Sequence, residues 1–110
     1  MLHSPEGIDI VQANGQWYGF VGSLDFSTPT KGIVRLDFGN SLLNSPTAKD
    51  LGDFGINSRL REVKVIKENT DLILLVVSYG GNSIVRVNYR DSFDNLISAA
   101  NISSTGAISG

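Results

Sequence analysis

The side chains of this chain that could take part in catalysis or ligand binding include one histidine, two groups of carboxylates and two arginines. His3 is the only histidine, and there is no cysteine. A transition-metal site needs several nitrogen or sulfur ligands, and a Ser-His-Asp triad would need His3, close to the amino terminus, to be held in a fixed place. The sequence therefore predicts no metal, no cofactor and no catalytic residue.

The carboxylates are grouped as Asp50 with Asp53 and as Asp91 with Asp94. Neither group has the alternating oxygen ligands and the glycine of a calcium loop. Hydrolysis by paired carboxylates requires two carboxyl groups held across a cleft, which this spacing does not demonstrate. We interpret both groups as solvated loop residues, and we expect no enzymatic activity.

Four residues are candidates for ligand binding: Trp17, Tyr18, Arg35 and Arg86. An arginine offers a rigid fork of donors, which suits an ion pair between strands or units, with Asp37 nearby for Arg35, and equally a hydroxylated or anionic ligand. The two aromatic rings could stack on a sugar or pack against a neighbouring unit. The residue types alone leave both interpretations open.

The elements that would position these residues form an internal repeat. Residues 8–23 align with 63–78 at an offset of 55, and residues 32–55 align with 83–106 at an offset of 51. The second block places both arginines at one position of the repeat. The change of offset falls in a connection that is four residues shorter in the second unit, and such a difference in loop length costs little.

Each unit contains four strand signals. In the first unit they cover residues 8–12, 17–22, 33–38 and about 48–51. In the second unit they cover residues 61–67, 71–79, 83–89 and about 97–103. The alignment pairs Ala48 with Ala99 in the fourth strand, and a single helical turn over residues 45–53 is a less favoured alternative there.

The run from Leu72 to Val77 is apolar at every position, which predicts a strand that is buried on both faces. Sheets of four strands that repeat about every 50 residues are typical of β-propeller blades packed between neighbours. The predicted fold class is all-β: a single domain over residues 1–110 with two four-stranded antiparallel blades, at about 8–57 and 60–110. A single β-sandwich is the alternative.

Two blades cannot close a ring, because propellers usually have about four to eight. Each blade would leave an apolar face in water, and exposed patches of that kind mark interfaces. The chain is therefore expected either to be part of a longer polypeptide or to complete the ring as a homo-oligomer. A homotrimer with six blades is favoured over assemblies of two or four copies.

Two segments of the first unit carry a resemblance to a known family. Residues 14–20 read NGQWYGF and residues 33–42 read IVRLDFGNSL, with SPT at 45–47 and LG at 51–52. They resemble β-propeller repeats of large, secreted, multidomain surface proteins from Bacteroidetes-type bacteria. The second unit departs from this pattern, with Leu72-Ile73-Leu74 in place of Trp-Tyr-Gly. The resemblance implies the fold and an extracellular or cell-surface location, and it implies no catalytic residue.

Charge and composition limit the classes of partner. Hydrophobic residues make up 41% and charged residues 18% of the chain, which is typical of a globular protein. The net charge is −2 and the basic residues form no dense run, so neither nucleic acid nor a membrane is an expected partner. The first seven residues have no basic or apolar region that predicts a signal peptide.

These observations favour a non-enzymatic binding module whose repeated loops contact a carbohydrate or a protein. A carbohydrate would be bound at several weak, repeated sites. The alternative is a purely structural propeller fragment, engineered or excised from a larger surface protein, that assembles with itself and has no small-molecule ligand.

Overall fold

Each sequence repeat folds into its own antiparallel four-stranded sheet. The computed structural model describes residues 5–23, 32–54, 59–79 and 83–104. The first sheet has the strand order β1 (Pro5–Ala13), β2 (Gln16–Ser23), β3 (Ile33–Gly39) and β4 (Thr47–Gly52). The second sheet has the order β5 (Arg59–Glu68), β6 (Asp71–Tyr79), β7 (Ser83–Asn88) and β8 (Ile102–Ser104), with a short 3-10 helix over Ala99–Asn101.

This arrangement confirms the prediction of an all-β chain with two four-stranded antiparallel sheets. Seven strands lie within a few residues of their predicted bounds, whereas β8 is shorter than predicted and begins at Ile102. The fourth segment of the first unit is strand β4 and not a helical turn. His3, the connection at 24–31 and the glycines at 80–81 lie outside the described residues.

The first hairpin turn of each unit has an asparagine in the left-handed region at its first central position. Asn14 and Gly15 have φ values of 54° and 75°, which is the left-handed region required at both centres of a type I′ turn. Asparagine and glycine adopt this region at the lowest cost. Asn69 has φ 57° at the equivalent position of the second unit, so the retained asparagine has a structural reason.

The loop after the third strand is also built twice in the same way. In the first unit, the Nδ2 of Asn44 donates to the carbonyl of Phe38 at 2.9 Å. In the second unit, the Nδ2 of Asn95 donates to the carbonyl of Tyr89 at 2.9 Å. Each asparagine thus ties the end of its loop back to the end of the strand that precedes it.

Two more features of these loops match. Ser41 and Ser92 each accept, through the hydroxyl oxygen, a hydrogen bond of 3.1 Å from the backbone N–H two residues further on. Gly39 and Arg90 occupy one repeat position and have φ values of 75° and 62°. The repeat is therefore present in hydrogen bonding and backbone conformation as well as in residue type.

The fourth strand is where the sequence alignment fails. Ala48 of β4 pairs with Leu36, and Ile102 of β8 pairs with Val87. Leu36 and Val87 occupy the same repeat position, so the structural counterpart of Ala48 is Ile102. The predicted equivalence of Ala48 with Ala99 is wrong by three residues. The second unit inserts a three-residue 3-10 helix before its last strand.

The hydrophobic core lies between the two sheets, where β1 and β2 of the first sheet pack against β5 of the second. Large side chains that are fully buried include Phe20, Ile33, Leu60 and Leu74. Burial of one such side chain contributes about 1.5–3 kcal/mol. The contact between the sheets is therefore the main source of stability in the described part of the chain.

A carboxylate covers the edge of the second sheet inside this contact. The Oδ2 of Asp9 accepts a hydrogen bond of 2.7 Å from the backbone N–H of Val65 in β5. Because β5 is an edge strand, that N–H has no strand partner on its outer side. Asp9 satisfies it and so joins the first sheet to the second.

The two sheets stack so that opposite faces of the repeat meet. We call the face of each sheet that contacts the other sheet its inner face, and the opposite one its outer face. Phe20 and Arg35 are paired neighbours on the inner face of the first sheet. Their repeat counterparts, Leu75 and Arg86, are also paired neighbours but lie on the outer face of the second sheet, between the buried inward residues of β6 and β7.

The reverse holds for the other face. Ile8 and Val21 are paired on the outer face of the first sheet, and their counterparts Val63 and Val76 are paired on the inner face of the second. A pseudo-twofold stack would instead bring equivalent faces together. The two units are therefore related head to tail.

Among the described residues, strand β6 is fully buried on one face and partly exposed on the other. Leu72, Leu74 and Val76 on the inner face are 3% exposed or less, whereas Val77 on the outer face is 41% exposed. The sequence predicts that β6 is buried on both faces, and the described residues show full burial of one face. The apolar residues on the other face are available to a further layer.

Candidate binding groove

The centre of the contact between the two units is the guanidinium of Arg35, which strand β3 places on the inner face of the first sheet. Arg35 is 4% exposed. Its Nε donates to Oδ1 of Asp37 at 2.7 Å and its Nη2 donates to Oδ2 at 2.9 Å. These two residues are two apart in one strand, so their side chains lie on the same face and can form this bidentate pair.

The remaining nitrogen of Arg35 reaches the second unit. Its Nη1 donates to the carbonyl oxygen of Phe93 at 2.8 Å, and Nη2 lies 3.7 Å from Oδ1 of Asp94. The guanidinium carbon is 5.4 Å from the ring centre of Tyr18, within the range of a cation–π contact. Arg35 therefore connects its own strand, a ring of the neighbouring strand and the loop of the other unit.

The charges around Arg35 are balanced by these contacts. Burial alone would lower the pKa of Arg35, but the hydrogen bonds to Asp37 and the charges of Asp37 and Asp94 keep that pKa raised. Burial, followed by the negative charge of Asp94, raises the pKa of the Tyr18 hydroxyl. Burial raises the pKa of the Tyr89 hydroxyl to about 12. Both phenols are therefore neutral at physiological pH.

An aromatic cluster holds the loop of the second unit in place. The ring of Phe93 is 2% exposed. Its centroid lies 5.0 Å from those of Tyr18 and Phe20 and 5.3 Å from that of Tyr89. Edge-to-face and tilted pairs at these separations add to the energy of burial. Phe93 thus anchors the loop of the second unit over the first sheet.

An open groove of about 540 Å³ runs beside this anchor. Tyr18 and Asp37 line it from the strands of the first sheet, Asn44 and Thr47 from the following loop and strand, and Asp94 from the second unit. Carboxylate, amide and hydroxyl groups are suitable partners for a hydroxylated ligand. The groove can therefore form hydrogen bonds to such a ligand.

A smaller hollow of about 230 Å³ also borders the second-unit loop that carries Phe93 and Asp94. Arg35 and Lys49 contribute cationic groups to it, and Tyr89, Phe93 and Asp94 contribute the side of the second unit. Asp94 lines both the groove and the hollow. Asp94 therefore lies between two depressions at the junction of the units.

The structure brings together two of the four predicted ligand-binding residues. Tyr18 and Arg35 are in contact on the inner face of the first sheet. Trp17, next to Tyr18 in the strand, lies on the outer face of the same sheet, because successive side chains alternate. Arg86 lies on the outer face of the second sheet, where its Nε donates to Oγ of Ser103 at 3.2 Å.

The carboxylate groups separate by role. Asp50 accepts the backbone N–H of Gly52 at 2.8 Å, which stabilises the end of β4. Asp91 accepts a hydrogen bond of 3.1 Å from the amide of Asn95 inside its own loop. The carboxylate of Asp94 lies against the first unit, with Oδ1 3.7 Å from Nη2 of Arg35. The interpretation of Asp94 as a solvated loop residue is therefore incomplete.

Phe93 is a central residue of the junction that is not among the four predicted binding residues. The repeat position holds Leu42 in the first unit, so the alignment presents an ordinary apolar loop residue. A signal was nevertheless present. Ser92 and Asn95, which flank this position and recur as Ser41 and Asn44, indicate a loop of defined geometry. A large aromatic ring in such a loop requires a surface to cover it.

Comparison of the chain with protein-family models, with curated proteins and with solved structures finds no match. The resemblance of residues 14–20 and 33–42 to propeller repeats therefore stays a prediction. Within residues 5–23, 32–54, 59–79 and 83–104, no three His, Cys, Asp or Glu side chains are grouped in a way that could hold a metal ion. The described part of the chain contains no helix long and apolar enough to cross a membrane.

Proposed function

We propose that the chain is a pair of β-propeller blades and that it serves as a non-enzymatic binding or scaffold module. The observation that carries this proposal is the head-to-tail stack, in which Arg35 lies at the junction and its counterpart Arg86 lies on the far face. Blades that follow one another around a ring all face the same way. Each contact between neighbouring blades therefore joins opposite faces of the repeat.

Exposed apolar side chains on the outer faces support the same proposal, although Val21 and Val34 on the outer face of the first sheet are already buried. A single sandwich is complete with two sheets, and its outer faces are normally polar. Here Ile8 and Ile10 are 54% and 38% exposed on the first sheet, and Ile66 and Val77 are 43% and 41% exposed on the second. Apolar side chains on both outer faces are what a blade presents to the next blade.

A tandem fusion tests whether the units are blades. Three copies of the chain joined in one polypeptide should fold as one cooperative unit, with a higher Tm than the single chain, because each added copy covers an open face. The control is a fusion of the same length that carries Ile10→Lys and Ile66→Lys in every copy. If the unmodified fusion melts at the temperature of the single chain, the units are closed sandwiches and the proposal is wrong.

The polar groove beside Asp94 favours a second candidate function, the binding of carbohydrate. Its lining combines the carboxylates of Asp37 and Asp94 with the amide of Asn44 and the hydroxyl of Thr47, a combination that suits vicinal hydroxyl groups. Tyr18 is 8% exposed, so its ring face is already covered and hydrogen bonding would dominate over stacking.

A glycan array separates binding from a purely structural role. The variant Gln16→Ala with Thr47→Val removes two exposed groove side chains without touching the contacts of Arg35. Glycan binding by the unmodified chain that this variant loses, and that Thr70→Ala on the second unit retains, would support the lectin function. No binding across a broad array would favour the scaffold. Turnover on a panel of hydrolase substrates would overturn the non-enzymatic part of the proposal.

A further inference from the structure

Exposed apolar residues of this chain lie at repeat positions that are buried in the other unit. Ile8 is 54% exposed on the outer face of the first sheet, and its counterpart Val63 is 4% exposed in the core. Leu42 is 42% exposed, and its counterpart Phe93 is 2% exposed. The difference arises because a first-unit inner face covers Val63 and Phe93, whereas no described part of the chain covers Ile8 and Leu42 in this way.

The polar contacts between the two units of one chain indicate what kind of surface would cover Ile8 and Leu42. The first unit donates two side-chain hydrogen bonds to backbone carbonyls in the loop of the second unit. The Nδ2 of Asn14 donates to the carbonyl of Asp91 at 3.1 Å, and the Nη1 of Arg35 donates to the carbonyl of Phe93 at 2.8 Å. Since both acceptors are backbone atoms, their presence depends on loop geometry and not on residue type.

Both donors recur at exposed positions of the second unit, Arg86 on its outer face and Asn69 in the turn between β5 and β6. Asn69 and Arg86 are the repeat counterparts of Asn14 and Arg35, and both are exposed. Arg86 uses its Nε for Ser103, and its terminal nitrogens make no hydrogen bond to another described residue. The side chain of Asn69 likewise has no hydrogen-bond partner among residues 5–23, 32–54, 59–79 and 83–104.

Both acceptors recur on the open face of the first unit. The counterparts of the Asp91 and Phe93 carbonyls are those of Asn40 and Leu42. These lie in the loop that is closed by the same asparagine-to-carbonyl bond of 2.9 Å as its counterpart in the second unit. The acceptor loop is therefore already built in the conformation that the internal contact uses.

We propose that the outer face of the first sheet binds the outer face of the second sheet of another copy of this chain. In this contact Asn69 donates to the carbonyl of Asn40, and Arg86 donates to the carbonyl of Leu42, in the neighbouring copy. This proposal rests on the proposed function as a pair of blades, and it identifies the partner as a second copy of the chain. Because it joins two different surfaces, it is heterologous and generates a ring when the rotation closes.

The charged part of the internal junction does not recur, which makes the contact between copies weaker than the one within the chain. Asp9, Asp37 and Asp94 are replaced at their repeat positions by Lys64, Asn88 and Leu43. Arg86 would therefore form its carbonyl bond without the carboxylates that surround Arg35. We expect an association that depends on concentration and dissociates on dilution.

Engineered disulfides test the contact, since the chain has no cysteine of its own. One chain carries Asn69→Cys and a second carries Asn40→Cys. Under mild oxidation, the mixture should give a disulfide-linked dimer, and neither variant alone should do so. A chain that carries both substitutions should give closed covalent rings. For the favoured homotrimer, the mass is close to three times 11.8 kDa.

A matched control uses the internal junction. Asn14→Cys with Asp91→Cys in one chain places the cysteines at the corresponding positions and should form an intramolecular disulfide. If this control closes and the mixture of Asn69→Cys with Asn40→Cys does not, the contact between copies is wrong and the blade proposal stands. If the control does not close, the internal stack and the contact derived from it are both wrong.

The association of unmodified chains provides a second readout. Arg86→Met should weaken association at least about tenfold, because it leaves a carbonyl of the neighbour without its donor, and Leu96→Ala, 96% exposed at a loop position outside both faces, should not change it. Sedimentation that shows a monomer at every concentration would overturn the proposal. Disulfide-linked dimers of Asn69→Cys alone would indicate a twofold contact and would overturn it too.

Discussion

The Nη1 of Arg35 in the first unit donates to the carbonyl oxygen of Phe93 in the second, 2.8 Å away across 58 positions of sequence. Both partners are buried at the junction of the two sheets. The bond joins a charged donor to a backbone acceptor that has no access to water. Loss of this bond leaves a buried carbonyl without a hydrogen-bond partner, which lowers the free energy of unfolding more than the loss of an exposed bond does.

Arg35→Met should therefore reduce the free energy of unfolding by about 2–3 kcal/mol. Arg35→Lys keeps the charge but not the fork of donors, and it should restore less than half of this loss. Urea unfolding measures both. Arg86→Met, at the same repeat position but exposed, is the matched control and should cost under about 1 kcal/mol in dilute, monomeric chain. Equal losses at both positions would contradict the structural asymmetry.

Phe93→Ala should be among the most destabilising substitutions in the chain. The side chain is 2% exposed and contacts three aromatic rings, so its removal should cost about 3–5 kcal/mol. Leu42→Ala, at the equivalent and exposed position, should cost under about 1 kcal/mol. Thermal unfolding of the two variants measures the difference, and a large loss for Leu42→Ala in the monomer would argue against the proposed open face.

Gly32→Ala should destabilise the chain by about 3 kcal/mol. A Cβ at Gly32 would overlap the backbone carbonyl of Gly52, and backbone cannot move aside as a flexible side chain can. Gly7→Ala is the control, because its Cβ would lie 3.8 Å from Cγ of Glu62, an ordinary contact distance. Denaturant unfolding should show little change for Gly7→Ala. A stable Gly32→Ala variant would show that β3 and β4 separate more easily than the structure indicates.

Stability should fall in alkaline solution as Tyr89 ionises. Its pKa is raised by burial from 10.0 to about 12 in the folded chain. The folded state therefore favours the neutral phenol, and the stabilisation is complete below pH 10 and is lost as the pH rises to about 12. The loss should be about 3 kcal/mol at most.

Unfolding free energies measured from pH 8 to pH 12 test this dependence. Tyr89→Phe should flatten the curve in part, and the remaining slope should come from Tyr18, whose pKa is raised as well. An alkaline curve that is the same with and without Tyr89→Phe would show that Tyr89 is not buried as the structure has it.

The local structure of this chain could be predicted from residue types. Apolar runs indicate the strands, because this signal acts through neighbours in sequence. The repeat of Ser41 and Asn44 as Ser92 and Asn95 corresponds to loops with the same hydrogen bonds. The fourth strand was aligned wrongly because its pairing partner in β7 decides its register, and its own residues carry a weak pattern.

The candidate groove could be predicted only in part. The residue types of Tyr18 and Arg35 indicate a binding site, but nothing in their spacing shows that Phe93 and Asp94 come to lie against them. Trp17 was grouped with Tyr18 by proximity in sequence, yet strand alternation places it on the opposite face. Contacts between units depend on how the sheets stack, and stacking depends on the whole surface of each sheet.

Two similar four-stranded units follow from the residue pattern alone, since hydrogen-bonded strands and turns depend on local pattern and the pattern occurs twice. The head-to-tail stack, which buries Arg35 and leaves Arg86 exposed, depends on how the two sheets pack. Two arginines at one repeat position have the same local sequence pattern but different surroundings. Burial is decided by which face of one sheet meets which face of the other.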